Sequence, residues 1–454
     1  MSTPSHGQSI PTSRGQALRL LALFTTTLGL LAGCGSAAAT HSAASASLSA
    51  NVSSSGSPPV TAAAPSATST TPPATCATTV ASTLGTVAAR VYHEAATGGD
   101  VAQATHRVQS SAALTAAIDS GNAGGARTAL QGLLAGQIVR VEVLRGGHVF
   151  AQAGAGAAIA PAHGSIPGTS ATFILSTQPV HAYLQVVHQV TGAQVLLLGG
   201  GAPPGGPAST APGRRLAGTI SGSLPEGAPS AGGAVTIAGQ RYQAFTLAGA
   251  VYPAGPLRIV LLAPISAISC PGPLTQARVE TLGHVGERIY QEELHSPDVA
   301  ATLRSMESST AFQRAVAAGS VAATRAAILG FFAAHIHVVR VRVTIGGRLL
   351  IDEGGPYALA PVHGTLRSGG RVVGHFEMAI QDDAGYLKLA HLFTGAEVLM
   401  RTGSRQVMGT LSPGPATVPD RGEVTYRGRT YQAYSFVGEA FPEGPLRISL
   451  LLPT

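Results

Sequence analysis

Val338-Val339-Arg340-Val341-Arg342-Val343-Thr344-Ile345-Gly346-Gly347-Arg348-Leu349-Leu350-Ile351-Asp352 is the stretch whose reading decides the fold. Val339, Val341, Val343 and Ile345 alternate with Arg340, Arg342 and Thr344, the period-2 pattern of a strand with one buried face. Gly346-Gly347 supplies a tight turn, and Arg348 to Asp352 is the return strand. The same signal stands 200 positions earlier, where Ile138-Val139-Arg140-Val141 is followed by Gly146-Gly147.

Working outward, the repetition extends in both directions. Thr83-Leu84-Gly85 returns as Thr281-Leu282-Gly283, and Pro161-Ala162-His163-Gly164 as Pro361-Val362-His363-Gly364. Thr191-Gly192-Ala193 returns as Thr394-Gly395-Ala396, Tyr242-Gln243-Ala244 as Tyr431-Gln432-Ala433, and Gly255-Pro256-Leu257-Arg258-Ile259 as Gly444-Pro445-Leu446-Arg447-Ile448. Order is kept and the offset drifts only between 189 and 203 residues, so the chain is a tandem duplication of one unit rather than a short-period solenoid. The copies span 76–269 and 270–454. The offset falls because the first copy has an insertion near Gly199 to Gly213, which lacks the Gly-Lys-Ser/Thr of a phosphate loop and reads as a surface loop.

Within the second copy, 274–295, 298–318 and about 320–334 read as helices, with Asp298 capping the second and Gly319 ending it. After the hairpin and a Gly/Pro loop, Arg371 to Ile380 is a strand. Asp382 or Asp383 caps a short helix that Gly395 stops. Strands follow at Glu397–Arg401, Gln406–Leu411, Glu423–Tyr426, Thr430–Val437 and Leu446–Leu452. Helices first, then hairpins around one inserted helix, describe an α+β domain with an antiparallel sheet, present twice.

The N-terminus reads as an address. Arg14 and Arg19 precede the apolar Leu20 to Leu31, and Leu31-Ala32-Gly33-Cys34 follows. A basic start, a short apolar run and small residues before the cut describe a secretory signal. The Leu-Ala-Gly-Cys ending resembles the lipobox of bacterial lipoproteins. That resemblance implies cleavage after 33, a diacylglycerol thioether on Cys34, and membrane attachment on the extracytoplasmic face. Residues 34–75, nearly all Ala, Ser, Thr, Pro and Gly, read as a tether that cannot bury enough apolar surface to offset its ordering entropy.

Net charge is +7, but no run of five or six like charges occurs, so nucleic acid is not an expected partner. The cysteines are Cys34, Cys76 and Cys270. Three exclude a disulfide-dense scaffold or a cysteine zinc knuckle. Cys76 and Cys270 each precede the first helix of a copy, and in an oxidising compartment they are candidates for a bridge worth about 5 kcal/mol by chain entropy. Bridging requires their Cα atoms to approach within roughly 7 Å, which the sequence leaves open.

The layout of each copy resembles the extracytoplasmic Cache sensor domains, whose core is PAS-like. Val339–Ile351, Arg371–Asp382 and Tyr386–Met400 carry the resemblance, with Val139–Phe150, Thr172–Gln178 and Tyr183–Leu198 in the first copy. It implies a pocket over the sheet for a small carboxylate or amino acid. Family members usually continue into a transmembrane helix and a signalling module, whereas here the last strand is followed only by Pro453-Thr454. The expectation is a lipid-anchored binding or sensing protein without its own output module. The alternative is a structural lipoprotein docking on an envelope partner.

No His-Glu-x-x-His, Gly-x-Ser-x-Gly or cofactor-binding motif appears, so neither enzyme activity nor a cofactor is expected. His335-Ile336-His337 reads as a solvated helix end rather than a metal site, and Asp382-Asp383 as a helix cap rather than an acid/base pair. His163 and His363 read as packed turn residues. The copies differ in charge: the second holds 33 charged residues and the first 14. One reading places the ligand in the second copy, with Arg371 or Arg401 on its carboxylate, Tyr357 and Tyr386 closing over it, and His375 and Asp382 as further polar contacts; the other is that these charges only solubilise the surface.

Overall fold

The computed structural model describes residues 75–134, 137–199, 214–221, 232–253, 255–270, 272–335, 338–355, 358–441 and 444–454. The expected signal segment, Cys34, nearly all of the tether and the insertion at 200–213 lie outside the described residues, as do Ile336, His337 and Tyr357.

In the first copy the order is α1 (Cys76–Thr97), α2 (Gly99–Gln109), α3 (Ala112–Asp119), α4 (Ala123–Leu133), β1 (Arg140–Arg145), β2 (His148–Gly154), β3 (Ala158–Ile159), β4 (Ala162–Ser165), β5 (Ala171–Ser176), β6 (Gln178–Pro179), α5 (Val180–Thr191), β7 (Gln194–Gly199), β8 (Arg214–Gly218), β9 (Gly233–Ile237), β10 (Gln240–Tyr252) and β11 (Gly255–Pro264). The second copy repeats it as α6 (Leu274–His295), α7 (Pro297–Ser308), α8 (Thr310–Ala317), α9 (Val321–Ala334), β12 (Arg340–Ile345), β13 (Arg348–Gly354), β14 (Ala358–Leu359), β15 (Val362–Ser368), β16 (Arg371–Ala379), α10 (Asp383–Thr394), β17 (Glu397–Thr402), β18 (Arg405–Gly409), β19 (Arg421–Tyr426), β20 (Arg429–Phe441) and β21 (Gly444–Pro453). The fold is α+β with antiparallel sheets throughout.

Each copy divides its strands between two sheets. The first has the order β2-β1-β5-β4, repeated as β13-β12-β16-β15. The second has the order β6-β3-β10-β11-β7-β8 with β9 on β10, repeated as β14-β20-β21-β17-β18 with β19 on β20. Two sheets form because two sets of helices each need an apolar surface. The short helices α7–α9 bury Met306, Phe312 and Ile328 against Val341, Val343 and Phe376 of the first sheet. The long α6 buries Leu282, Val285 and Ile289 against Ile448 and Leu450 of the second.

That second core is common to both copies. Leu84, Val87 and Val91 of α1 join Leu282, Val285 and Ile289 of α6, Tyr183 and Val187 of α5, and Tyr386, Leu389 and Phe393 of α10 in a single cluster. A disulfide joins Cys76 to Cys270 at the starts of the two halves, with Cα atoms 5.9 Å apart.

Three local differences from the sequence reading have clear causes. The expected helix 298–318 breaks at Ser309, which is extended and accepts the Phe312 amide on Oγ to cap a new helix. Ser296, not Asp298, caps α7 by accepting the Val299 amide. The supposed Gly/Pro loop before Arg371 contains the edge strand β15. Gly364 lies flat beneath the Phe376 ring, where any Cβ would collide, so the glycine marks close packing inside a strand rather than a loop.

Candidate functional site

The first sheet of the second copy has one face packed on helices and one turned outward. Alternation along β12 puts Val341 and Val343 inward and Arg342 and Thr344 outward. On β16, Phe376 and Met378 point inward and His375 and Glu377 outward. Register then gathers the outward set: Arg342 opposes Glu377, Thr344 opposes His375, and β15 brings His363 beside Glu377 and Thr365 beside His375. These six side chains line a hollow of about 230 Å³.

The polar groups hold one another loosely. Arg342 Nη1 is 4.0 Å from Glu377 Oε2, and His363 Nδ1 is 3.9 Å from Glu377 Oε1. Thr365 Oγ1 and His375 Nδ1 are 3.4 Å apart. Half-exposed pairs at such separations are worth little. The Nε of Arg342 is buried and has no hydrogen-bond partner among the described residues. A buried donor left unpaired costs about 1–3 kcal/mol.

The first copy lacks this set. By the same register its face carries Glu142 opposite Ile174, and Leu144 opposite Thr172, with His163 and Ser165 on the edge strand. Burial raises the pKa of the Glu142 carboxyl, an effect Arg140 opposes. A guanidinium–carboxylate pair in one copy thus stands where the other has a carboxyl beside an isoleucine.

Of the described residues among those expected from sequence to hold the ligand, the structure places only His375 in this hollow. Arg371 is exposed where the β15–β16 hairpin turns back. Asp382 caps α10, accepting the Gly385 amide. Tyr386 is fully buried under α6 and donates to the Gly286 carbonyl at 3.0 Å, as Tyr183 does to Ala88 at 3.2 Å. Burial drives the Tyr386 phenol pKa far upward, with Tyr290 and nearby carboxylates adding to it. Arg401 is buried on β17, where it donates to the Ala416 carbonyl at 2.8 Å and to that of Pro415, and so ties down the following loop. Burial lowers its pKa, and Arg447 adds to that. Tyr386, Arg401 and Asp382 therefore serve the fold, and the structure does not bring them together with Arg371 and His375.

Arg342, Thr344, His363 and Thr365 escaped the sequence reading as site residues. Arg342 and Thr344 were legible as the polar phase of β12, but His363 and Thr365 sit on a strand read as a loop. Among the described residues no group of three or more His, Cys, Asp or Glu is arranged to hold a metal ion. No described helix is long and apolar enough to cross a membrane.

No family model matches the chain. No curated protein matches it either. Among solved structures it has a match to an extracellular ligand binding receptor from Desulfohalobium retbaense, at 10% identity and a TM-score of 0.25. The match covers 49% of this chain and 47% of that one.

Proposed function

We propose that this protein is a lipid-anchored, extracytoplasmic binding protein that captures a small carboxylate or amino acid on the second copy's outward sheet face, and binds rather than transforms it. The observation that carries this reading is the Arg342 guanidinium, held only loosely by Glu377 at 4.0 Å, on a hollow that His363, His375, Thr344 and Thr365 also line. A loosely held guanidinium suits a carboxylate, and Glu377 at the same hollow suits an ammonium group. The Cache resemblance agrees in ligand class and in locating it on a sheet. Anchoring rests on the Leu31-Ala32-Gly33-Cys34 stretch.

The test is calorimetric titration of the whole chain from Cys34 onward with succinate, pyruvate and the standard amino acids. At least one is expected to bind, with Arg342→Gln weakening it tenfold or more and Arg371→Gln leaving it unchanged. No binding by any of them, or binding indifferent to Arg342→Gln, refutes the reading. The first of those results would favour an envelope-docking lipoprotein. In the producing cell, Cys34→Ala is expected to shift the protein from the membrane fraction to the soluble one.

A further inference from the structure

A second cleft, of about 280 Å³, lies between the two copies near the cystine. The long helices α1 and α6 pack on each other, and each also packs on the short helix of the opposite copy. The duplication provides an internal comparison here. Arg90 and Arg288 occupy equivalent positions, seven and five residues beyond the repeated Thr-Leu-Gly starts and glycines respectively. Each guanidinium lies over the left-handed glycine that ends the other copy's short helix, Arg90 over Gly395 and Arg288 over Gly192. A helix C-terminus favours a cation there.

The two arginines then differ. Arg90 donates to the Phe393 carbonyl at 3.2 Å and is partly buried. Arg288 makes no hydrogen bond or ion pair with any described residue and stands exposed at the cleft. Val80 and Leu84 of α1, Val285 of α6 and Ile268 from the segment leading to Cys270 make part of the lining apolar, with Thr191, Ser269 and Thr281 among the polar remainder. The other charged or titratable groups on the cleft are already engaged. Glu280 accepts from Gln276 Nε2 at 2.9 Å and lies 3.8 Å from Arg421 Nε. His284 contacts Glu287 and the Tyr434 hydroxyl. They stand eight and four residues before Arg288 on α6, roughly 12 and 6 Å away along the axis.

A partly apolar cleft with one uncommitted guanidinium matches an amphipathic anion. We propose that this cleft binds an aliphatic carboxylate of medium chain length, its carboxylate on Arg288 and its chain along Leu84, Val285, Val80 and Ile268. This site is separate from the Arg342 hollow and does not depend on it.

The experiment is titration of the whole chain from Cys34 onward with octanoate, with octanol as the uncharged analogue. Octanoate is expected to bind, and octanol at least tenfold more weakly. Arg288→Gln, an exposed substitution, is expected to reduce octanoate affinity tenfold or more, Arg288→Lys to retain part of it, and Arg342→Gln to leave it unchanged. Circular dichroism and the melting temperature confirm that each variant is folded. Equal binding of octanol and octanoate, undiminished binding in Arg288→Gln, or no octanoate binding overturns the proposal. Loss in Arg342→Gln alone would assign the carboxylate to the other site and overturn it equally.

Discussion

Replacing Gly283 by alanine tests the way the long helix of the second copy sits on its sheet. The helix approaches so closely that a Cβ at 283 would stand 2.1 Å from the Tyr434 ring. That ring cannot swing aside cheaply. Its hydroxyl is 3.1 Å from both His284 Nδ1 and Glu287 Oε2, and the Arg421 guanidinium lies 3.5 Å from its centroid. Overpacking of a well-filled core costs about 1–3 kcal/mol, and a clash this direct belongs at the upper end. Alanine returns about 1 kcal/mol in helix propensity, leaving a net loss of about 2 kcal/mol. Gly330, in the middle of α9, is the control: it is exposed and a Cβ there would meet nothing within 4 Å. Gly330→Ala is therefore expected to gain about 0.5–1 kcal/mol. Urea unfolding of the two variants should move the midpoint in opposite directions at unchanged slope. Equal shifts, or a stabilised Gly283→Ala, would refute the packing argument. Gly85→Ala, which would strike Phe245 in the first copy, should behave as Gly283→Ala does.

Two further expectations concern stability. Glu293 is buried at the end of α6, where Gln381, with its amide oriented to satisfy both ends, donates to Oε1 at 3.3 Å. Burial, with Glu292 adding to it, raises its pKa from 4.5 to about 8. The folded state thus keeps a proton that the unfolded chain releases, so stability is full below pH 4.5 and falls as pH rises toward 8. The loss is on the order of 3–5 kcal/mol. Glu293→Gln should flatten that window in pH-resolved denaturation, and an unchanged pH profile would refute the assignment. Separately, Cys76→Ser with Cys270→Ser opens a loop of 194 residues, and chain entropy assigns such a closure about 5 kcal/mol. The double variant should show a markedly lower urea midpoint, whereas an unmoved midpoint would mean that the bridge constrains nothing the fold does not already hold.

Much of the local structure was legible in the sequence. The alternation around Arg340-Val341-Arg342-Val343 marked β12, Gly346-Gly347 its turn, and Asp382 and Gly395 the ends of α10. Each depends on residues within a few positions of one another. What escaped depended on partners far away. Gly364 reads as a loop breaker until Phe376 is laid over it. Tyr386 reads as a ligand residue until Gly286, a hundred residues away, accepts its hydroxyl. Arg401 reads as a carboxylate anchor until the Pro415 and Ala416 carbonyls claim it.

The sequence by itself determined that one α+β unit is present twice, where most of its helices and the β12–β13 hairpin fall, and which side chains share a strand face. Only the tertiary structure decided that each unit builds two sheets, that α1 and α6 bring both units into a common core, and which face of each sheet is covered. The reason is physical: periodicity states which residues point the same way, and the direction that is buried is set by elements arriving from elsewhere in the chain. Strand register alone gathered Arg342, His363, His375 and Glu377 around one hollow, and the packing of helices across the two copies left Arg288 without a hydrogen bond among the described residues where Arg90 found a carbonyl.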